Sequence, residues 1–170
     1  HTDDAATAEA LRIQEELQQL VASAGFPVEL RPIVLAKDET AIAGLSAASD
    51  ADVLMPYAAG GAVEWFWRLA NCGKPNIMFL RHKSGPYYLY HEIAHWRVLR
   101  HHEDAMAEPR LDVGDIVVDD YDEVLWRLRA LYGLKNAKGT KVLAIGSLAA
   151  YSAPAQEHGP RVAQDLWGYT

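Results

Sequence analysis

The sequence predicts an α/β domain with a doubly wound, mostly parallel sheet of the Rossmann or flavodoxin type. Three observations carry this expectation. Short, nearly all-apolar segments alternate with amphipathic ones; Gly, Pro, Asn or Asp bounds each apolar segment; and 170 residues, half of them hydrophobic, is one domain's worth of chain. Strands apolar on both faces belong to parallel sheets covered by helices, because only a helical crossover returns the chain in the same direction.

In residues 3–24, Ala6, Ala10, Ile13, Leu17, Leu20 and Ala24 recur at steps of three and four, and Gly25 supplies a left-handed stop. This predicts an amphipathic helix. Residues 28–31 read as a short strand stopped by Pro32, and residues 38–49 as a second helix with an acidic first turn. Residues 52–56 form the next expected strand. A turn at 57–61 leads into a helix over 62–71, and Gly73-Lys74-Pro75 leads to the most apolar strand, 76–80. After an insert at 81–113 come a strand at 115–118 and a helix announced by Asp120 and Glu123 in capping-box spacing, with Val124, Leu125, Leu128, Leu131 and Tyr132 on one face. Residues 140–145 are the last expected strand. A loop at 146–160 and a helix at 161–168 follow.

Such a sheet normally opens with a strand, whereas this chain opens with a helix and stops where a helix should hand over to a strand. The expectation is a fragment cut at both ends: an α/β domain over 1–145 without its first strand, then 146–170 leading into a further domain.

Composition excludes several classes of function. Lys and Arg number 16 against 23 Asp and Glu, a net charge of −7 with scattered basic residues, which gives a nucleic-acid backbone nothing to displace its counterions. No apolar run approaches the roughly 18 residues of a membrane span, and the acidic N-terminus lacks the basic start of a signal peptide. A cytoplasmic protein with neither nucleic-acid nor membrane partners is expected. The single cysteine, Cys72, cannot form an intrachain disulfide and is read as a packing residue.

One motif carries explicit chemistry. His91-Glu92-Ile93-Ala94-His95 matches H-E-x-x-H, which sets two imidazoles one helical turn apart on zinc, with the Glu polarising bound water. A zinc peptidase with Glu92 as base and His91 and His95 as ligands is therefore an alternative. A third ligand is harder to supply. His101 has the right offset, but Val98 stands where a Gly would break the helix; His102 lies on the same stripe about 10 Å along the axis, and zinc bonds of about 2 Å cannot span that. On the simpler reading, these histidines are the polar side of a helix whose Leu89, Ile93, Trp96 and Leu99 pack inward.

Other features are weaker. Tyr57, Gly60 and Gly61 sit at a strand-to-helix turn whose backbone N–H groups could receive a ligand, although the turn matches no nucleotide fingerprint. Asp119, Asp120 and Asp122 are explained by helix capping. Arg81, His82 and Lys83 follow the most apolar strand directly, where a parallel sheet presents its ligands, and Arg81 offers a fork for two oxygens. The expectation places Arg81 outside the core, dispensable for folding.

The run GKPNIMFLRHKSGPYYLYHEIAHWRVLRHHED, followed by DIVVDDYDEVLWRLRALYGLKNAKGTKVLAIG, resembles the N-terminal region of the L-fucose/L-arabinose isomerase-like superfamily, in particular its bacterial sugar isomerase-like members. The resemblance implies α/β N-terminal domains and aldose–ketose interconversion. It also implies a divalent metal, usually manganese, held by a separate C-terminal domain outside these residues, with catalytic and metal-ligating residues elsewhere. This region would supply substrate-side walls or subunit contacts in a homo-oligomer acting on a small sugar. Arg81, His82, Lys83, Tyr57, Gly60 and Gly61 are its candidate sugar-binding residues. A non-catalytic sugar-binding α/β module is a further alternative.

Overall fold

The computed structural model describes residues 3–48, 50–57, 63–81, 113–143, 145–146 and 153–170. The chain is mostly helical and divides into two units, His1–Leu125 and Trp126–Thr170. The only sheet among the described residues has two parallel strands. This corrects the expected doubly wound sheet.

In the first unit, helix α1 (Asp3–Ala22) buries Ile13 and Leu17 from its apolar stripe. Ser23 and Gly25 end it: the Ser23 amide and hydroxyl donate back into the last turn, and Gly25 takes a φ of 67°. Helix α2 (Glu39–Ala48) starts at an N-cap, where Asp38 Oδ1 accepts the Ala41 amide at 2.8 Å. Helix α3 (Val63–Ala70) closes on Asn71 and Gly73.

Strand β1 (Met78–Leu80) pairs in parallel with β2 (Ile116–Val118), Phe79 opposite Val117, after a 3-10 turn at Val113–Asp115. Helix α4 (Tyr121–Ala137) follows β2, with Asp120 Oδ1 accepting the Glu123 amide at 3.0 Å. Ile77, Met78, Phe79, Leu80, Val117 and Val124 are buried, so the centre of the unit lies around β1. A second apolar cluster, Ile42, Leu54 and Leu69, joins α2 and α3, and the half-buried Cys72 packs against it.

Three expected strands do not form, each for a local reason. Residues 28–31 lie between Pro27 and Pro32, which have no N–H to donate, and the Ile33 amide goes to the Gln14 side chain of α1. Residues 52–56 run beside β1 but make only isolated bridges, Leu54 with Asn76 and Tyr57 with Phe79. Pro56 accepts from the Phe79 amide yet cannot donate, which interrupts the ladder there. Residues 140–143 and 145 lie in the second unit as an exposed segment without regular structure, Leu143 being 84% and Ile145 95% accessible, and the Val142 amide donates to the Thr170 carbonyl. An apolar sequence marks a segment that needs cover without naming a strand partner.

The second unit differs again in its last helix. Where a loop over 146–160 was expected, α5 (Ala153–Trp167) already runs through Gly159 and Pro160 and ends at Gly168, whose φ is 68°. Gly168 lies against Lys138, so close that an added Cβ would meet the Lys138 Cα at 3.2 Å.

Candidate functional site

A polar cluster in the first unit gathers where the parallel segments end. Its floor is aromatic: Phe79 of β1 stacks on Tyr121 with ring centroids 4.7 Å apart and tilts against Tyr57 at 5.1 Å. The Tyr57–Phe79 bridge brings the end of the 54–57 segment beside β1, and Tyr121 is the first residue of α4. The turn between β2 and α4 puts Tyr121 there. Asp119 turns the chain through a left-handed φ of 55°, its amide donating to the Leu80 carbonyl, and Asp120 caps the helix.

The charged side chains come from α1 and the end of β1. Glu9, Arg12 and Glu16 are spaced i, i+3, i+7 and share a helix face. Arg12 grips Glu9 through two parallel bonds, Nε to Oε2 at 2.9 Å and Nη2 to Oε1 at 2.7 Å, while its Nη1 donates to Glu16 Oε1. Arg81, immediately after β1, donates from Nη2 to Glu9 Oε1, and its guanidinium carbon lies 5.3 Å from the Tyr57 ring centroid. Glu9 thus bridges two guanidiniums.

Tyrosines complete the chain of bonds. The Tyr121 hydroxyl donates to Glu16 Oε2 at 2.8 Å. Its single hydrogen is committed there, so across the 2.9 Å separation Tyr57 donates to Tyr121. Burial raises the pKa of Tyr57 far above the usual phenol range and pushes Tyr121 up to about 12. Both hydroxyls therefore keep their protons near neutral pH and are not bases. The hydrogen bond to Glu9 is the main reason the Arg12 pKa is raised.

Burial grades across the cluster. The Arg81 side chain is 4% accessible and Glu9 21%, against 36% for Glu16 and 40% for Arg12. Arg81 is buried, not on an exposed loop as expected, because its counter-charge arrives on a helix 72 residues earlier in the chain. The outer face of the cluster presents the partly exposed Arg12 and Glu16 side chains, the Nε–Nη2 edge of Arg12 being already taken by Glu9. Such a face can donate to and accept from hydroxyl groups.

Two of the sequence-predicted site residues, Tyr57 and Arg81, are brought into contact; His82, Lys83, Gly60, Gly61, His91, Glu92 and His95 lie outside the described residues. The sequence reading missed Glu9, Arg12, Glu16 and Tyr121. The only signal for the three charged residues was i,i+3 and i,i+4 spacing of opposite charges, which exposed helices also show, and Tyr121 gave none. Among the described residues no group of three His, Cys, Asp or Glu side chains could hold a metal ion, and no helix is long and apolar enough to cross a membrane. Comparison with protein-family models, curated proteins and solved structures finds no match.

Proposed function

We propose that this chain is the substrate-side part of a sugar isomerase-like enzyme, and that the cluster of Arg12, Glu16, Tyr57 and Tyr121 is the wall met by a small polyhydroxylated substrate. The observation that carries this reading is the hydrogen-bonded run Tyr57, Tyr121, Glu16, Arg12, which alternates donors and acceptors over the stacked Phe79 and Tyr121 rings. Sugars are held by paired polar groups that donate to and accept from their hydroxyls, and the buried Phe79 beneath serves to position Tyr57 and Tyr121. The resemblance of residues 73–146 to sugar isomerase-like proteins supports the reaction class.

In this reading Arg12 and Glu16 bind and orient hydroxyls, while the tyrosines hold their protons and fix the Glu16 carboxylate. The chemical step belongs to a divalent metal, manganese by resemblance, whose ligands are supplied from outside the described residues. The whole enzyme works in the cytoplasm as a homo-oligomer, without nucleic-acid or membrane partners; the net charge of −7 supports the exclusion of nucleic acid.

Titration of the chain with a panel of neutral pentoses and 6-deoxyhexoses, followed by protein NMR, tests the reading. The Arg12, Glu16 and Tyr121 resonances should move together, and Glu16→Gln should weaken binding roughly tenfold. No response to any sugar, or a response confined to other residues, would overturn it. Stoichiometric zinc in the dialysed protein, lost in His95→Ala, would favour the peptidase instead.

A further inference from the structure

We propose, resting on the reading of this cluster as a sugar-binding wall, that the Tyr57 hydroxyl is a one-way acceptor which selects a polyol presenting a free hydroxyl at that point. A ligand whose group there is an ether, a carbonyl or a fluorine is turned away. The order of protons starts at Glu16, whose carboxylate can only accept. It takes the Tyr121 hydrogen at 2.8 Å, and Tyr121, its hydrogen spent, takes that of Tyr57 at 2.9 Å. Tyr57 is left without a hydrogen to give. Among the described residues no group donates to its oxygen, so the half-buried Tyr57 side chain keeps an acceptor position for a ligand.

The surroundings hold this order in place. Tyr121 opens α4 and stacks on Phe79, while Tyr57 lies between Phe79 and the Arg81 cation. Burial keeps both phenols protonated well above neutral pH, so the direction of the bonds persists there. Arg12 supplies the opposite polarity: three of its five N–H groups are spent on Glu9 and Glu16, and two remain to donate. The wall therefore offers acceptors at Tyr57 and Glu16 and donors at Arg12. A site of fixed polarity rejects an analogue lacking the matching hydrogen, because two acceptors then face each other and both have given up water. Without the order, Tyr57 would turn its hydrogen outward and either kind of group would fit. Tyr121 is thus a positioning residue that acts through Tyr57.

The test measures binding of D-xylose, L-arabinose, L-rhamnose and L-fucose by protein NMR titration, then of the monodeoxyfluoro analogues, one for each hydroxyl, of the sugar held most tightly. Fluorine at one position should weaken binding to the native chain about tenfold or more, and should carry no such penalty in Tyr57→Phe, which identifies the hydroxyl facing Tyr57. At that position the penalty should fall to about threefold or less in Tyr121→Phe, which keeps the stacked ring but frees the Tyr57 hydrogen. A merely structural loss would weaken parent sugar and analogue alike and leave their ratio unchanged. If Tyr121→Phe does not fold, Glu16→Ala makes the same comparison, because it removes the acceptor that sets the order and alters neither ring. Absence of any position whose penalty depends on Tyr57, or a ratio unaltered in the Tyr121 or Glu16 variant, would overturn the proposal and leave the sugar reading standing. Binding of none of the four sugars would overturn both.

Discussion

Arg81 shows how far one residue's role depends on its neighbours in space. Read in sequence, it follows an apolar strand beside two other polar residues and suits an exposed ligand loop; in the fold its guanidinium is sealed between Glu9 and the Tyr57 ring. Exposed ion pairs contribute about 0–1 kcal/mol, whereas removing a buried side chain leaves a cavity and costs more. Arg81→Ala leaves Glu9 held by Arg12 but empties a buried position against the Tyr57 ring, so it is expected to lower unfolding stability by about 3 kcal/mol, measured by urea denaturation. A loss within the range for exposed pairs would mean that solvent reaches the pair. Tyr121 supplies a second residue-scale expectation. Burial raises its pKa from an ordinary 10.0 to about 12 in the folded protein, so the folded state holds a proton that the unfolded state releases first. Its contribution to stability is therefore complete below pH 10 and is lost as pH rises from 10 to 12. Denaturation series across that range should fall less steeply for Tyr121→Phe than for the native chain. Equal slopes would assign the alkaline loss to other groups.

At the scale of elements, local chemistry was legible and pairing was not. The ends of α1, α2 and α4 follow from Gly25, Asp38 and Asp120, because a capping side chain or a left-handed glycine acts within four residues of itself. Both strands were visible as apolar runs. What the pattern could not carry is how many neighbours a strand finds. Pro56 stops the flank beside β1 from becoming a full strand, and the apolar Val142, Leu143 and Ile145 lie exposed. The candidate site divides in the same way. Arg81 follows a strand and Tyr57 an apolar segment, so both could be found by position, whereas Glu9, Arg12 and Glu16 look like any surface ladder until Glu9 meets Arg81 at the end of β1. The Asp120 cap carries a prediction of its own, since it both starts α4 and holds Tyr121 in the cluster. Asp120→Ala should cost about 1 kcal/mol of stability, and Asp120→Asn should restore most of it. The thermal unfolding of the two variants is the comparison to make. Equal losses in both would mean that the carboxylate charge, and not the hydrogen bond to the Glu123 amide, anchors the turn.

For the whole molecule, the decisive contrast is between the two units. Every described residue of the buried apolar core, from Ile13 to Val124, lies within His1–Leu125. Trp126–Thr170 instead exposes Trp126, Val142, Leu143, Ile145, Leu166 and Trp167. Hydrogen bonds alone do not hold isolated helices of this length in water, because nucleation is costly and packing supplies most of the stability of short helices. Amides of α5 and of the second half of α4 should therefore exchange with solvent through local openings well below the global unfolding free energy, while those of α1, β1 and β2 should exchange only through global unfolding. Native-state hydrogen exchange at increasing denaturant separates the two cases: local openings show little denaturant dependence, and global ones follow the full surface exposed. Repeating the measurement over a range of protein concentrations adds a check. Protection in the second unit that rises with concentration would mean a second copy covers the apolar residues, and the exchange of a single chain would have to be read from the dilute limit. Equal, fully global exchange in both units at that limit would refute the expectation, because it would require the second unit to be stabilised by more than its described side chains bury.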